Sequence, residues 1–184
     1  MQLLSKYLNG NRMSFLKFII FLLGVFIVIF LLAFLLPSKV TVAKSVEVNA
    51  SHDAVKNEIV NFDKWNKWYP AFKDENITVI KNPSTKNIIS SVTLKDKEGK
   101  TILLKLADTA NNKITINVES ASSTQVQYEF LLIPKLNNQT QVTWDVNINL
   151  GWYPWKRIEG IFFDKFSGSQ YESALDDLRK AAEN

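Results

Sequence analysis

Chemistry needs side chains that ionise, ligate or attack, and this 184-residue chain is short of most of them. It has no cysteine and a single histidine, His52. Thiolate zinc sites, disulfide scaffolds and thiol nucleophiles are excluded, and a histidine-built metal centre or histidine-based triad lacks its parts. No Gly-rich phosphate loop, paired-carboxylate motif or metal-ligand spacing is present. The reading therefore assigns no catalytic residue, no metal and no cofactor. What remains is the hydroxyl of Tyr128 on a strand, with Asp164 and Glu172 on a helix that could reach inward. General acid–base work needs such a positioned group within reach of substrate. The plainer reading of the three is a packed tyrosine and two solvated helix carboxylates. Lys44 and Asp108 are the other charged groups near the expected interior, Asp108 at a strand end near the rim. His52 falls in the first turn of a helix, where a solvated side chain is expected.

Two unlike parts must position these groups. Phe18 to Leu36 is a run of nineteen residues without a charge or strong polar group. As a helix it is about 28 Å long, close to the ~30 Å hydrocarbon core of a bilayer. It exceeds a cleavable leader's apolar core and lacks a small-residue cleavage pattern after it. It is read as an uncleaved transmembrane helix. Lys6, Arg12 and Lys17 precede it with no acidic residue, which predicts a cytoplasmic N-terminus and an extracytoplasmic C-terminal domain, periplasmic or at the cell surface. Without those three, 19 basic residues face 18 acidic ones, so the basic balance gives no hint of nucleic acid. The organisation expected is 1–17 cytoplasmic, 18–36 transmembrane, 37–39 linker and 40–184 a single domain. The linker Pro37-Ser38-Lys39 spans at most about 10 Å, so the domain must sit against the membrane.

The domain alternates from its first residues. Val40, Val42, Val46 and Val48 share one face of a strand, and Lys44 interrupts that face. Ser51 is a helix N-cap before Val55, Ile59 and Phe62, and Phe62 to Pro70 reads as a second short helix ended by Pro70. Strand patterns follow near 76–81, 87–95, 101–108, 113–120, 125–133 and 141–150. The turn-like clusters between them are Asn82-Pro83-Ser84, Lys97-Glu98-Gly99, Asn111-Asn112, Ser122-Ser123 and Asn137-Asn138. Short turns imply antiparallel hairpins, and the parity leaves one face wet and one covered. The cover is a long C-terminal helix with Ile158, Ile161, Phe162, Phe166, Tyr171, Leu175, Leu178 and Ala182 as its apolar stripe, and Gly168 inside it leaving room or permitting a bend. The fold class is α+β: an antiparallel sheet curled around one long helix.

The stretches Lys44-Ser45-Val46-Glu47-Val48-Asn49-Ala50-Ser51, Phe62-Asp63-Lys64-Trp65-Asn66-Lys67-Trp68-Tyr69-Pro70 and 168–180 resemble the START-like, or SRPBCC, superfamily, including the polyketide cyclase/dehydrase and lipid transport family. Family members often carry Gly where this chain has Ala174. The resemblance covers about 40–184. It implies a helix-grip fold with an apolar cavity between curved sheet and C-terminal helix, and partners that are lipids, sterols, polyketides or other apolar molecules. A few members are enzymes and others bind proteins.

Such a cavity needs apolar and aromatic walls with a few orienting polar groups. Ile102, Leu104, Ile116, Tyr128, Trp144, Val146, Phe162 and Phe166 would supply the wall here, unless they simply fill a closed core. Trp152, Tyr153 and Trp155 are candidates for the membrane interface, with Trp65, Trp68 and Tyr69 a second aromatic cluster. The leading expectation is a membrane-anchored domain that binds a hydrophobic small molecule or lipid. The rivals are a protein-interaction module with a closed core and a cyclase- or dehydratase-like enzyme using Tyr128 and a helix carboxylate. A filled interior would favour the interaction module; a pocket holding both Tyr128 and an acid would favour the enzyme.

Overall fold

A computed structural model describes residues 2–83, 89–110, 112–121 and 124–184, with side chains from residue 15 onward save those of Pro83 and Ile89. The expected turn residues Ser84, Asn111, Ser122 and Ser123, and the first two residues of the expected strand 87–95, lie outside the described residues.

A long helix, α1 (Gln2–Ala33), comes first. Its stretch Phe15–Ala33 is long and apolar enough to cross a membrane, and the rest of the protein buries only its last residue, Ala33. The helix stops three residues short of the apolar run's end. Phe34, Leu35 and Leu36 close it with i→i−3 turns, and Pro37 follows.

The domain runs β1 (Lys39–Val48), α2 (His52–Val60), a 3-10 segment (Phe62–Lys67), α3 (Pro70–Lys73), then β2 (Thr78–Pro83), β3 (Ile89–Lys95), β4 (Thr101–Asp108), β5 (Lys113–Ser120), β6 (Gln125–Lys135), β7 (Gln139–Asn149) and α4 (Pro154–Glu183). Ser51 caps α2 as expected, its Oγ accepting from the Ala54 N–H. Pro70 departs from expectation. It opens α3 at the first helical position instead of closing the preceding helix, because a missing N–H is harmless there and φ is already helical. Asn137 and Asn138 both adopt positive φ in the β6–β7 turn, a conformation Asn tolerates.

All seven strands form one antiparallel sheet in the order β1-β7-β6-β5-β4-β3-β2. Register puts the apolar alternation on one inner face, row by row across the strands. Val40, Ile148, Val126, Val118 and Leu104 form one row; Val42, Val146, Tyr128, Ile116 and Leu106 form the next; Lys44, Trp144, Phe130 and Ile114 a third. α4 lies along β1 on that face. Gly160 makes the close approach possible: a Cβ there would collide with Leu150 Cδ1 and come within 3.1 Å of Val40 Cγ2. Leu175 and Leu178 complete the fully buried seam.

Candidate functional site

The inner face is not uniformly sealed. Along the third row Trp144, Phe130 and Ile114 are fully buried, and in the second row so are Val146 and Ile116. In the first row Val40, Val126 and Val118 are only half-buried, whereas Ile148 and Leu104 of that row are buried; Leu106 of the second row is half-buried too. Phe163 of α4 is half-buried against the same core. Interior packing is thus looser at Val40, Val126 and Val118 than around Trp144.

A polar focus stands in the second row, beside Trp144. Tyr128, nearly buried on β6, shares a 3.0 Å hydrogen bond with the hydroxyl of Tyr69, which the 3-10 segment and α3 bring over the sheet. Tyr171 of α4 stands beside the same hydroxyl, its ring centroid 6.5 Å from that of Tyr128. Burial raises all three phenols. Tyr69 is pushed up to about 12, its bond with Tyr128 only partly opposing the effect. Tyr128 rises well above the ordinary value through burial and then through Tyr69, and Tyr171 rises through burial and then Tyr128. All three are neutral hydroxyls at physiological pH, able to donate and accept but not to serve as bases.

Trp144 is the hub of this region. It stacks on Phe130 at 4.9 Å and meets Tyr171 and Tyr128 edge-on at 5.0 and 5.2 Å. Its buried Nε1–H finds no acceptor among the described residues. An unpaired buried donor costs roughly 1–3 kcal/mol, so the site gains if an acceptor oxygen enters. A single such donor beside three hydroxyls would orient an oxygen-bearing apolar molecule; no carboxylate joins them.

The carboxylates are held elsewhere. Lys44, the interruption of the inner face, reaches α4 and pairs with Glu172 at 2.9 Å and Asp164 at 3.2 Å. These partners, Glu172 first, raise the Lys44 ammonium above its usual value. Gly168 leaves the space: a Cβ there would strike Asp164 Oδ1 and come within 3.2 Å of Lys44 Nζ. Asp108 is exposed at the end of β4, its carboxylate accepting from Thr109 and Ala110 N–H. His52, expected solvated, is half-buried, with Nε2 unpartnered among the described residues and Nδ1 beside Asp53. No group of three or more His, Cys, Asp or Glu that could hold a metal occurs among the described residues.

The eight expected wall residues separate into two sets. Leu104, Ile116, Tyr128, Trp144 and Val146 come together in the interior. Ile102, at the edge of the inner face, is 41% exposed, and Phe162 and Phe166 are 47% and 73% exposed. The apolar stripe of α4 is therefore split, because in its first half apolar residues are interspersed with Lys156, Arg157, Glu159, Asp164 and Lys165 and do not confine themselves to one face. Phe163, Tyr171, Ala174, Leu175 and Leu178 face the core, and Ile161, Phe162 and Phe166 face out. Of the two aromatic clusters, Trp65 and Trp68 are fully buried, donating to the Ile59 and Glu58 carbonyls at 2.8 and 3.2 Å. The other is open: Trp152 and Trp155 are 62% and 52% exposed around a Trp152–Tyr153–Trp155 stack.

One contact had no signal in the sequence. Arg157 Nη1 donates to the Phe34 and Leu36 carbonyls, at 2.8 and 3.1 Å, just beyond the end of α1. Its guanidinium also lies 5.7 Å from the Phe34 ring centre, and Ala33 is buried where α1 meets α4. The start of α4 is thereby fastened to the end of the apolar helix.

A groove of about 790 Å³ lies across the ends of β1, β7, β6 and β5. Its lining takes in the outward row Thr41, Asn147, Gln127 and Asn117 together with Val40, Ile148, Val126 and Val118 of the first inner row, and no residue of α4. None of the eight expected wall residues lines it.

The pattern of the family described as polyketide cyclase / dehydrase and lipid transport matches residues 39–183. The chain belongs to that family. Its fold is START-like. A START superfamily protein from Mycobacterium smegmatis is 20% identical over 78% of this chain and 94% of its own, with a TM-score of 0.55. The Zhui aromatase/cyclase from a Streptomyces species is 14% identical over 79% and 94%, with a TM-score of 0.58. A Thermus thermophilus protein is 11% identical over 77% and 96%, with a TM-score of 0.55. No curated protein matches the chain. The family match begins at Lys39, the first residue of β1, so α1 lies outside it. Family and fold account for the helix over the sheet.

Proposed function

We propose that this protein is a membrane-anchored START-like domain that holds a hydrophobic or amphipathic small molecule, a lipid among the candidates, between the sheet and the first half of α4. The observation that carries the reading is the gradient of packing on the inner face. The interior is tight around Trp144, while Val118, Val126, Leu106 and, on α4, Phe163 are only half-buried. Apolar walls leading to a few convergent polar groups are what a small-molecule site requires. Here the polar groups are the Tyr69, Tyr128 and Tyr171 hydroxyls and the unpaired Trp144 N–H. The family description, polyketide cyclase / dehydrase and lipid transport, supports the same class of ligand. The wall we propose keeps Leu104, Ile116, Tyr128, Trp144 and Val146 from the sequence reading and adds Leu106, Val118, Val126 and Phe163.

α1 anchors the domain as a single transmembrane helix, and the basic residues Lys6, Arg12 and Lys17 orient its N-terminus to the cytoplasm and residues 40–184 to the other side. Val40, at one end of the half-buried row, follows α1 by only seven residues, so an apolar molecule has a short route between bilayer and cleft. A Val126→Trp substitution in the full chain fills the cleft without touching Trp144. It should abolish retention of a fluorescent fatty acid while the melting temperature holds. Retention equal to wild type in a folded variant would sink this location.

One observation favours the second reading, a protein-interaction module. Trp144, Leu104, Ile116 and Val146 have no exposure at all, so more than half of the inner face is ordinary core. On that reading Val126→Trp would be destabilising or silent, and no apolar molecule would accompany the purified protein.

A further inference from the structure

α4 carries an apolar face that its packing does not use. Gly160, Leu175 and Leu178 turn one side of the helix to β1 and the core. Trp155, Phe162 and Phe166, at i, i+7 and i+11, share the other side and are 52%, 47% and 73% exposed. Trp152, just before the helix, extends the patch. Contiguous exposed apolar surface of this kind marks a contact that the isolated chain does not make.

What covers it follows from where α4 begins. Arg157 fastens its first turns to the carbonyls of Phe34 and Leu36, and Ala33 is buried against α4. The patch therefore starts at the level where the apolar helix ends, and it continues an apolar surface already committed to lipid. Its leading residues are tryptophans, which favour the headgroup layer because the ring is apolar and its N–H is polar. Resting on the membrane-anchored reading above, we infer that the first half of α4 is a second membrane contact. Trp152, Trp155, Phe162 and Phe166 enter the headgroup region of the bilayer that α1 crosses. The domain then lies against the bilayer along α4 and does not stand on α1 alone.

The chain has no cysteine, so single-cysteine variants of the full-length protein take one label each. Phe162→Cys and Phe166→Cys, with Phe26→Cys inside α1 and Leu136→Cys in the remote β6–β7 turn as references, would carry a small fluorophore. The proteins would be reconstituted in vesicles of phosphatidylcholine and phosphatidylglycerol containing brominated lipid. Labels at 162 and 166 should be quenched roughly two-fold by bromines near the headgroups, as expected for an interfacial helix. The label at 26 should be quenched by deep bromines and that at 136 by neither. Quenching at 26 with none at 162 and 166 overturns the inference and leaves the anchor standing. Loss of quenching at 26 as well overturns both. Labels at 162 and 166 that respond to protein concentration but not to bromine identify a second copy of the chain as the occupant, which also overturns it.

Discussion

Arg157 offers the sharpest test of how the apolar helix and the domain are joined. Its Nη1 gives two hydrogen bonds, 2.8 and 3.1 Å long, to carbonyls left without helical partners just past α1. A cation at a helix C-terminus also meets the negative end of the helix dipole, and the guanidinium stands over the Phe34 ring. Charge-assisted bonds are worth about 1.5–3 kcal/mol each when shielded, but these carbonyls are partly exposed and water can replace the donor. We therefore assign about 2 kcal/mol to the clasp as a whole. Arg157→Ala should raise local opening of residues 34–39 by roughly thirty-fold. Hydrogen exchange of the full chain in detergent, followed on the peptide spanning those residues, reads this directly. Arg157→Lys should fall between, because one ammonium cannot present the planar fork that bridges two carbonyls. The thermal midpoint of the domain should barely move, since the bonds link the domain to the apolar helix and not core to core. Unchanged exchange at 34–39 would refute the clasp, and a large fall in the midpoint would show that Arg157 belongs to the domain's own stability.

Three other outcomes are expected. Burial raises the phenols of Tyr69, Tyr128 and Tyr171, Tyr69 to about 12, so the folded protein keeps protons that the unfolded chain releases near pH 10. The stabilisation is complete below about pH 10 and is lost as pH rises towards about 12. Urea midpoints should fall through that window, less steeply in Tyr128→Phe, and a flat profile would contradict the buried cluster. Leu104→Ala removes a fully buried side chain of the inner face and should cost about 2–5 kcal/mol in urea denaturation, whereas a loss near zero would mean the site is already open. The two close-packed glycines of α4 should differ. Gly168→Ala meets an Asp164 side chain that is mostly exposed and can swing away, so a helix-propensity gain of about 1 kcal/mol should survive. Gly160→Ala presses on buried Leu150 and should come out less stable than Gly168→Ala by roughly 1–3 kcal/mol; the reverse order would reject this packing.

The sheet was legible because strand alternation has a period of two and the register preserves it. Val142, Trp144, Val146 and Ile148 all lie on the inner face, in rows with Tyr128 and Phe130. α4 was legible as a helix but not in its rotation. In its first half Ile158, Ile161, Phe162, Phe163 and Phe166 are interspersed with Lys156, Arg157, Glu159, Asp164 and Lys165, so the pattern does not single out the face that packs, and only Gly160 and Gly168 mark the side of close approach. Lys44 could be seen as an interruption of the inner face, but its partners lie more than a hundred residues away on another element. The same holds for Tyr69 and Tyr128, which no local pattern brings together, and for Arg157, whose acceptors are backbone carbonyls invisible in side-chain types. Pro70 had a local signal that pointed two ways, since proline both ends a helix and begins one.

The central claim is that the loosened inner face holds an apolar molecule. Native mass spectrometry of the full-length protein, released from gentle detergent after purification from its own membrane, tests it most directly when followed by solvent extraction and identification of what was bound. The account requires a stoichiometric apolar or amphipathic adduct that is lost in Val126→Trp and weakened in Tyr128→Phe. A clean protein mass, unchanged after incubation with a panel of lipids and fatty acids, would contradict it and return the domain to the interaction-module reading.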